Sequence, residues 1–203
     1  MNNKVIAIFD FDGTITKGDT FLPFLLYSFG IWKTSFNIIR AFPYLLAFAL
    51  NLVSNQYAKE KIIHLFFKKF DIEKLKLISE EFVEKKLDNH LRKNMISRLK
   101  WHQSQDHITV LISASLNIYI EPWAKKYNFS FVESTLLEEN KNIYTGKIKG
   151  NNCYGVEKVY RLEHIFDDNI KKYKTYGYGD STGDKFFIDL CDFKYFKNDL
   201  AKL

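Results

Sequence analysis

The sequence predicts an α/β fold: a doubly wound, mainly parallel sheet with an all-helical unit inserted after the first strand. Three observations carry this. Val5-Ile6-Ala7-Ile8-Phe9 is an uninterrupted apolar run, as expected of a strand covered on both faces. From about residue 105 onward, short apolar runs alternate with amphipathic segments, the pattern of βαβ units. Between these regions, Ile72, Leu75, Ile78, Phe82, Leu91 and Met95 recur mostly at spacings near three, four or their multiples, which is helical periodicity.

The elements follow in order. The first strand ends in Asp10-Phe11-Asp12-Gly13-Thr14, where two carboxylates close to a buried strand end point to a bound cation or a catalytic role. A lone aspartate there would more simply cap a helix. Residues 17–103 are expected to be helical. The run 107–112 reads as a strand, followed by a helix over 116–127 that Pro122 should bend or break. Residues 129–134 read as a short strand and 139–150 as a hairpin with Asn and Gly punctuation. Helix 156–166, strand 174–178, helix 184–190 and a closing strand at 193–196 complete the pattern.

The chain of 203 residues is long enough for one core plus a small inserted unit. Its 46% hydrophobic content, with 19 phenylalanines, excludes a disordered chain. A formal charge of +6 favours anionic partners: phosphorylated substrates, anionic membranes or nucleic acid. No nucleic-acid reading motif accompanies the charge, so nucleic acid is not expected. Cys153 and Cys191 lack CxxC or metal-ligand spacing and read as reduced packing thiols of a cytoplasmic protein. Residues 1–4 lead directly into the first strand without a signal-peptide pattern. His64, His90, His102, His107 and His164 are scattered without ligand spacing and are expected on the surface or in packing.

The stretch Asp10-Phe11-Asp12-Gly13-Thr14-Ile15-Thr16 resembles the first motif of the haloacid dehalogenase superfamily. Three further motifs of that family occur in the required order: Ile108 to Ser115 with Ser113, Gly155-Val156-Glu157-Lys158-Val159, and Tyr176 to Asp184 with Asp180 and Asp184. The resemblance implies a Rossmann-like core over 1–16 and 104–203, with residues 17–103 as a helical cap similar to that of the phosphoserine-phosphatase-like branch. It also implies an Mg²⁺-dependent phosphatase. Asp10 would be the nucleophile and Asp12 the general acid and base. Mg²⁺ would be held by Asp10, the main-chain carbonyl of Asp12, and Asp180. Asp184 would orient metal-bound water or bind Lys158. Ser113, Lys158 and the backbone of Gly13 and Ala114 would hold the phosphate. Asp19 stands nine residues after Asp10, where phosphoserine phosphatases carry a substrate-binding acid, and Arg40 is the one arginine in the apolar part of the cap.

The residues from Phe21 to Val53 are strongly apolar, with Lys33 and Arg40 as their charges. The longest charge-free piece, 41–58, approaches the length of a membrane span, but Pro43, Asn51, Ser54, Asn55 and Gln56 weaken that reading. Buried cap helices are the first expectation. Contact of this region with a membrane interface, admitting a lipid phosphate, is the second. Residues 20–100 carry fourteen Lys/Arg against seven Asp/Glu. Such a cap resembles that of bacterial phosphatidylglycerophosphate phosphatases and favours a small-molecule or lipid phosphate with an apolar portion. Phosphoserine or another small metabolite phosphate is the alternative substrate, and phosphotransfer to an alcohol an alternative outcome. A non-catalytic membrane- or protein-binding module is the rival class, opposed by the intact Asp10, Asp12, Ser113, Lys158 and Asp180.

Overall fold

The computed structural model describes residues 4–167 and 169–202, so residues 1–3, expected to lead into the first strand, lie outside the description. Strand β1 (Val5–Phe9) is the centre of a five-stranded parallel sheet of order β3-β2-β1-β6-β7. Its neighbours are β2 (Ile108–Leu116) and β6 (Lys174–Gly179), flanked by β3 (Phe131–Thr135) and β7 (Phe193–Phe196). The apolar run of β1 is buried on both faces, as its composition requires. Ala7 and Phe9 join one core with Leu111, Trp123 and Tyr178, while Ile6 and Ile8 join another with Val110, Leu162 and Phe187.

Four helices lie between β1 and β2: α1 (Phe21–Ala49), α2 (Asn55–Phe67), α3 (Ile72–Lys85) and α4 (Lys93–Ser104). Ser54 caps α2 by accepting from the Tyr57 amide at 3.1 Å, and Asp71 caps α3 by accepting from Lys74 at 2.8 Å. Phe24, Phe67 and Phe82 continue the first core outward from the sheet, so inserted helices and sheet share one apolar interior. The two connections to the insertion run side by side: Thr16 pairs with Leu91, and the Lys17 amide donates to the His90 carbonyl at 2.8 Å.

Helix α1 is two arms meeting at Gly30, whose φ of 75° and ψ of 167° suit a residue without Cβ. Helix α5 (Asn117–Lys126) runs on through Pro122 where the sequence suggested a bend or break. The hairpin of β4 (Leu137–Asn140) and β5 (Ile143–Ile148) forms where turn residues placed it, but outside the large sheet. It packs on the insertion, with the Tyr144 amide donating to the Phe70 carbonyl and the Lys69 amide to the Tyr144 carbonyl, both at 2.9 Å. Helices α6 (Val156–Ile165) and α7 (Lys185–Ile188) cover the other sheet face.

Candidate active site

Register explains why distant residues meet. Phe9 lies level with Leu111 of β2 and Tyr178 of β6, so Asp10, Ser113 and Asp180 emerge together at the carboxyl ends of three adjacent strands. The Asp10 amide donates to the Tyr178 carbonyl at 2.9 Å, extending the ladder to the site. Gly13 then turns the chain at a φ of 76°. A Cβ there would stand 2.1 Å from an Asp180 carboxylate oxygen, so only glycine admits this approach of two loops.

Lys158, in the first turn of α6, is only 2% exposed. Its Nζ donates to Asp10 Oδ1 at 2.7 Å and to Asp184 Oδ1 at 2.6 Å. The other Asp184 oxygen accepts from the Ser181 amide at 2.8 Å, the Ser181 hydroxyl at 2.6 Å and the Asp180 amide at 3.2 Å. Asp184 therefore fixes both Lys158 and the loop carrying Asp180. Burial pushes the Asp10 carboxyl up to about 8; Lys158 opposes the rise and Asp184 adds to it. Burial pulls Lys158 downward, but the two carboxylates more than offset this and hold it charged. Asp180 is also raised, first by burial and then by Asp184.

Asp12, in the same loop, is held by a second set of donors. Its Oδ1 accepts from the Thr20 amide at 2.8 Å and the Thr20 hydroxyl at 2.6 Å, and its Oδ2 accepts from the Ser115 hydroxyl. Tyr119 in turn donates to Ser115 at 2.8 Å. Burial raises Asp12 to about 6, Asp19 adds repulsion, and the hydroxyl and amide donors restrain the shift. Ser113 Oγ accepts from the Ser115 amide at 3.0 Å and faces the same cavity.

That cavity, of about 480 Å³, is lined by Asp10, Asp12, Gly13, Asp19, Ser113, Ala114, Lys158 and Asp180. Asp19 stands at its edge, where Oδ1 accepts from the Phe21 and Leu22 amides at 2.9 and 3.3 Å and so starts α1. Arg40 is not brought there. It lies earlier on the outer arm of α1, its guanidinium 5.7 Å from the Phe36 ring centre, beside a separate depression with Tyr44, Glu60 and His64.

The insertion instead supplies Lys59 and Arg92, which sequence reasoning passed over. Lys59 Nζ donates to the Ala114 carbonyl and, at 3.0 Å, to Asn152 Oδ1; burial lowers it to about 8. Arg92 is held by donating from Nε to the Thr16 carbonyl at 3.0 Å. Ser115 was also missed, although it closes the same Ser113-Ala114-Ser115 run, all of which lines the cavity. Lys59 looks in sequence like any solvated helix cation.

Asp10, Asp180 and Asp184 each offer a carboxylate oxygen, all within 4.8 Å of one another. Three such oxygens with one ammonium are under-neutralised, and the donor set is that of a hard divalent cation, so the residues fit Mg²⁺. Both Asp184 oxygens already accept hydrogen bonds, which leaves Asp10 and Asp180 better placed to reach the ion.

A site of clustered carboxylates at the carboxyl edge of a doubly wound sheet, with a lysine bonded to the leading aspartate, defines a class of hydrolase. Residues 7–185 match the model of the haloacid dehalogenase-like hydrolases, and the chain belongs to that family. It is 26% identical over 197 residues to Protein CicA of Caulobacter vibrioides, covering 97% of this chain and 87% of that one. A protein of unknown function from Bordetella pertussis Tohama I superposes with a TM-score of 0.81 at 19% identity, over 93% of this chain and 87% of that one. A substrate-bound phosphoserine phosphatase superposes with a TM-score of 0.63 at 15% identity, over 100% of this chain and 90% of that one. The protein is thus a hydrolase of this family whose fold is shared with phosphatases.

Proposed function

We propose that the protein is a Mg²⁺-dependent phosphomonoesterase acting through an aspartyl-phosphate on Asp10. The observation that carries this reading is the Asp10–Lys158–Asp184 chain of short hydrogen bonds beside Asp180. Lys158 fixes one Asp10 oxygen, so the other is oriented for in-line attack on phosphorus. As the new bond forms, the ester P–O bond breaks and the leaving oxygen takes a proton from Asp12. Water then attacks the phosphorus of the aspartyl-phosphate and gives its proton to Asp12, releasing inorganic phosphate and restoring Asp10. Lys158, the Ser113 hydroxyl and the Ala114 amide hold the phosphoryl oxygens, while the Gly13 amide donates to Thr16 Oγ1 at 3.2 Å. Mg²⁺, held by Asp10, Asp180 and the Asp12 carbonyl, would supply the remaining charge neutralisation. Thr20 and Ser115 keep the Asp12 carboxyl aimed at the cavity while the inserted helices act as a cap.

The substrate reading follows from the walls. Phe21, Leu45, Phe48 and Ile62 present apolar surface, and Lys17, Lys59 and Arg92 present charge. This supports a phosphate monoester with an apolar portion, such as a lipid-linked phosphate. The likeness in fold to phosphoserine phosphatase favours a small polar phosphate as the second reading. Purified protein assayed with Mg²⁺ against phosphorylated lipids, sugars, amino acids and nucleotides decides between them. Preference for the lipids is expected; selective hydrolysis of phosphoserine would reverse the order, and no EDTA-sensitive release of phosphate from any would overturn the function.

A further inference from the structure

The outer arm of α1, residues 31–49, is built inside out. Its fully buried residues are small or polar, with Ile38 half-buried beside them against the core: Thr34 donates to the Leu25 carbonyl at 3.1 Å, Asn37 donates to the Leu65 carbonyl at 3.3 Å, and Ala41 is buried. Its outward face carries Trp32 at 88% exposure, Phe36 at 62%, Ile39 at 72% and Phe42 at 61%. Single exposed apolar side chains are ordinary, but a contiguous stripe of large ones at helical spacing marks a surface made to be covered.

We propose that this face docks on an anionic lipid bilayer, lying in the interface with Trp32, Phe36, Ile39 and Phe42 inserted among the headgroups. Charge favours this occupant over a second copy of the chain. No acidic residue occurs between Asp19 and Glu60, while Lys33 and Arg40 border the stripe. Anionic headgroups complement such a face, whereas symmetric self-pairing would bring its cations together. A tryptophan so exposed at the end of the stripe suits the headgroup layer, where its amphipathic ring is stable. The arm lies on the bilayer rather than crossing it, since no described helix is long and apolar enough to span one.

The docking surface stands independently of the proposed chemistry. Its bearing on substrate rests on that chemistry: Phe48, near the end of the same arm, is part of the cavity wall, so one helix carries both the docking stripe and a wall of the cavity.

Co-sedimentation tests the surface. The wild-type protein is mixed at low salt with vesicles of phosphatidylcholine containing phosphatidylglycerol, and with vesicles of phosphatidylcholine alone. Sedimentation with the anionic vesicles, declining as salt rises, is expected. The triple variant Trp32→Ser, Phe36→Ser, Ile39→Ser should lose about tenfold or more of that partitioning. It should keep the wild-type circular dichroism and hydrolysis of p-nitrophenyl phosphate. Because mostly exposed side chains are replaced, the fold is expected to persist; a blue shift of tryptophan emission on adding anionic vesicles, lost in Trp32→Phe, gives a second reading with a milder change. Wild-type protein remaining in the supernatant, or equal sedimentation of the triple variant, overturns the inference. So does a wild-type dimer that the triple variant converts to monomer, which would assign the face to a second copy. Sedimentation without any phosphatase activity would leave the surface standing and remove the chemistry.

Discussion

Individual side chains carry the chemistry, and their substitutions separate the roles. Asp10→Asn removes the proposed nucleophile at nearly constant volume. Steady-state assay with p-nitrophenyl phosphate and Mg²⁺ should show turnover reduced by about three orders of magnitude or more, with the melting temperature little changed. Lys158→Met acts differently, because it leaves Asp10 and Asp184 buried beside each other without their shared cation. It is expected to cost about 3–5 kcal/mol in denaturant unfolding as well as activity. A residue away from the site governs acid stability. Buried His102 hydrogen-bonds to Tyr178 at 2.9 Å and to His107 at 2.7 Å. Burial first, then His107 and Arg98, push it down to about 3 from 6.5. Below pH 6.5 the unfolded chain therefore takes up a proton that the folded one refuses, and stability falls as pH drops from about 6.5 toward 3. Melting temperatures between pH 7 and 4 should fall less in His102→Gln than in the wild type; identical slopes would refute this. The contact between His102 and His107 was not legible in the sequence, where five histidines look scattered, because β6 supplies the tyrosine that orders them.

At the scale of elements, apolar patterning was a good guide wherever one element packs against a sheet. The run of β1, the strand before Ser113 and the helix holding Lys158 could all be read, since burial on a sheet leaves period and composition in the sequence. Packing between inserted elements left weaker traces. The hairpin expected at 139–150 forms as two strands over 137–148, yet its docking on the Phe70 loop uses main-chain groups, which any sequence possesses. Arg40 was a substrate-binding candidate because the resemblance implies a cap arginine and it is the one arginine of the apolar stretch, but which way a helix turns its residues depends on what covers it. The break in α1 shows the same dependence. Gly30→Ala meets no neighbouring atom, so its cost comes from backbone conformation alone, about 1–3 kcal/mol, measurable as a lowered unfolding free energy. An unchanged stability would mean that the two arms can join without this conformation.

Across the whole molecule, parallel pairing on both sides of β1 assembles the site from four segments spread between Asp10 and Asp184. The insertion closes over it with Lys59 and Arg92. The four motifs were readable because each sits at a strand or helix end, where geometry tolerates few residue types. The cations contributed by the insertion were not, since nothing in the sequence marks a lysine or arginine as facing a cavity. Removing divalent cations with EDTA should abolish hydrolysis, and added Mg²⁺ should restore it. Activity that survives chelation would contradict the fit between the acidic cluster and the ion.

The central claim is a covalent phosphoryl group on Asp10. Acid quenching within the first turnover of a ³²P-labelled monoester, followed by peptide mapping, tests it most directly. A hydroxylamine-labile label on the peptide containing Asp10, absent from the Asp10→Asn variant, is the predicted result. Phosphate released by the wild type with no label ever on that peptide, or full turnover by Asp10→Asn, would contradict it.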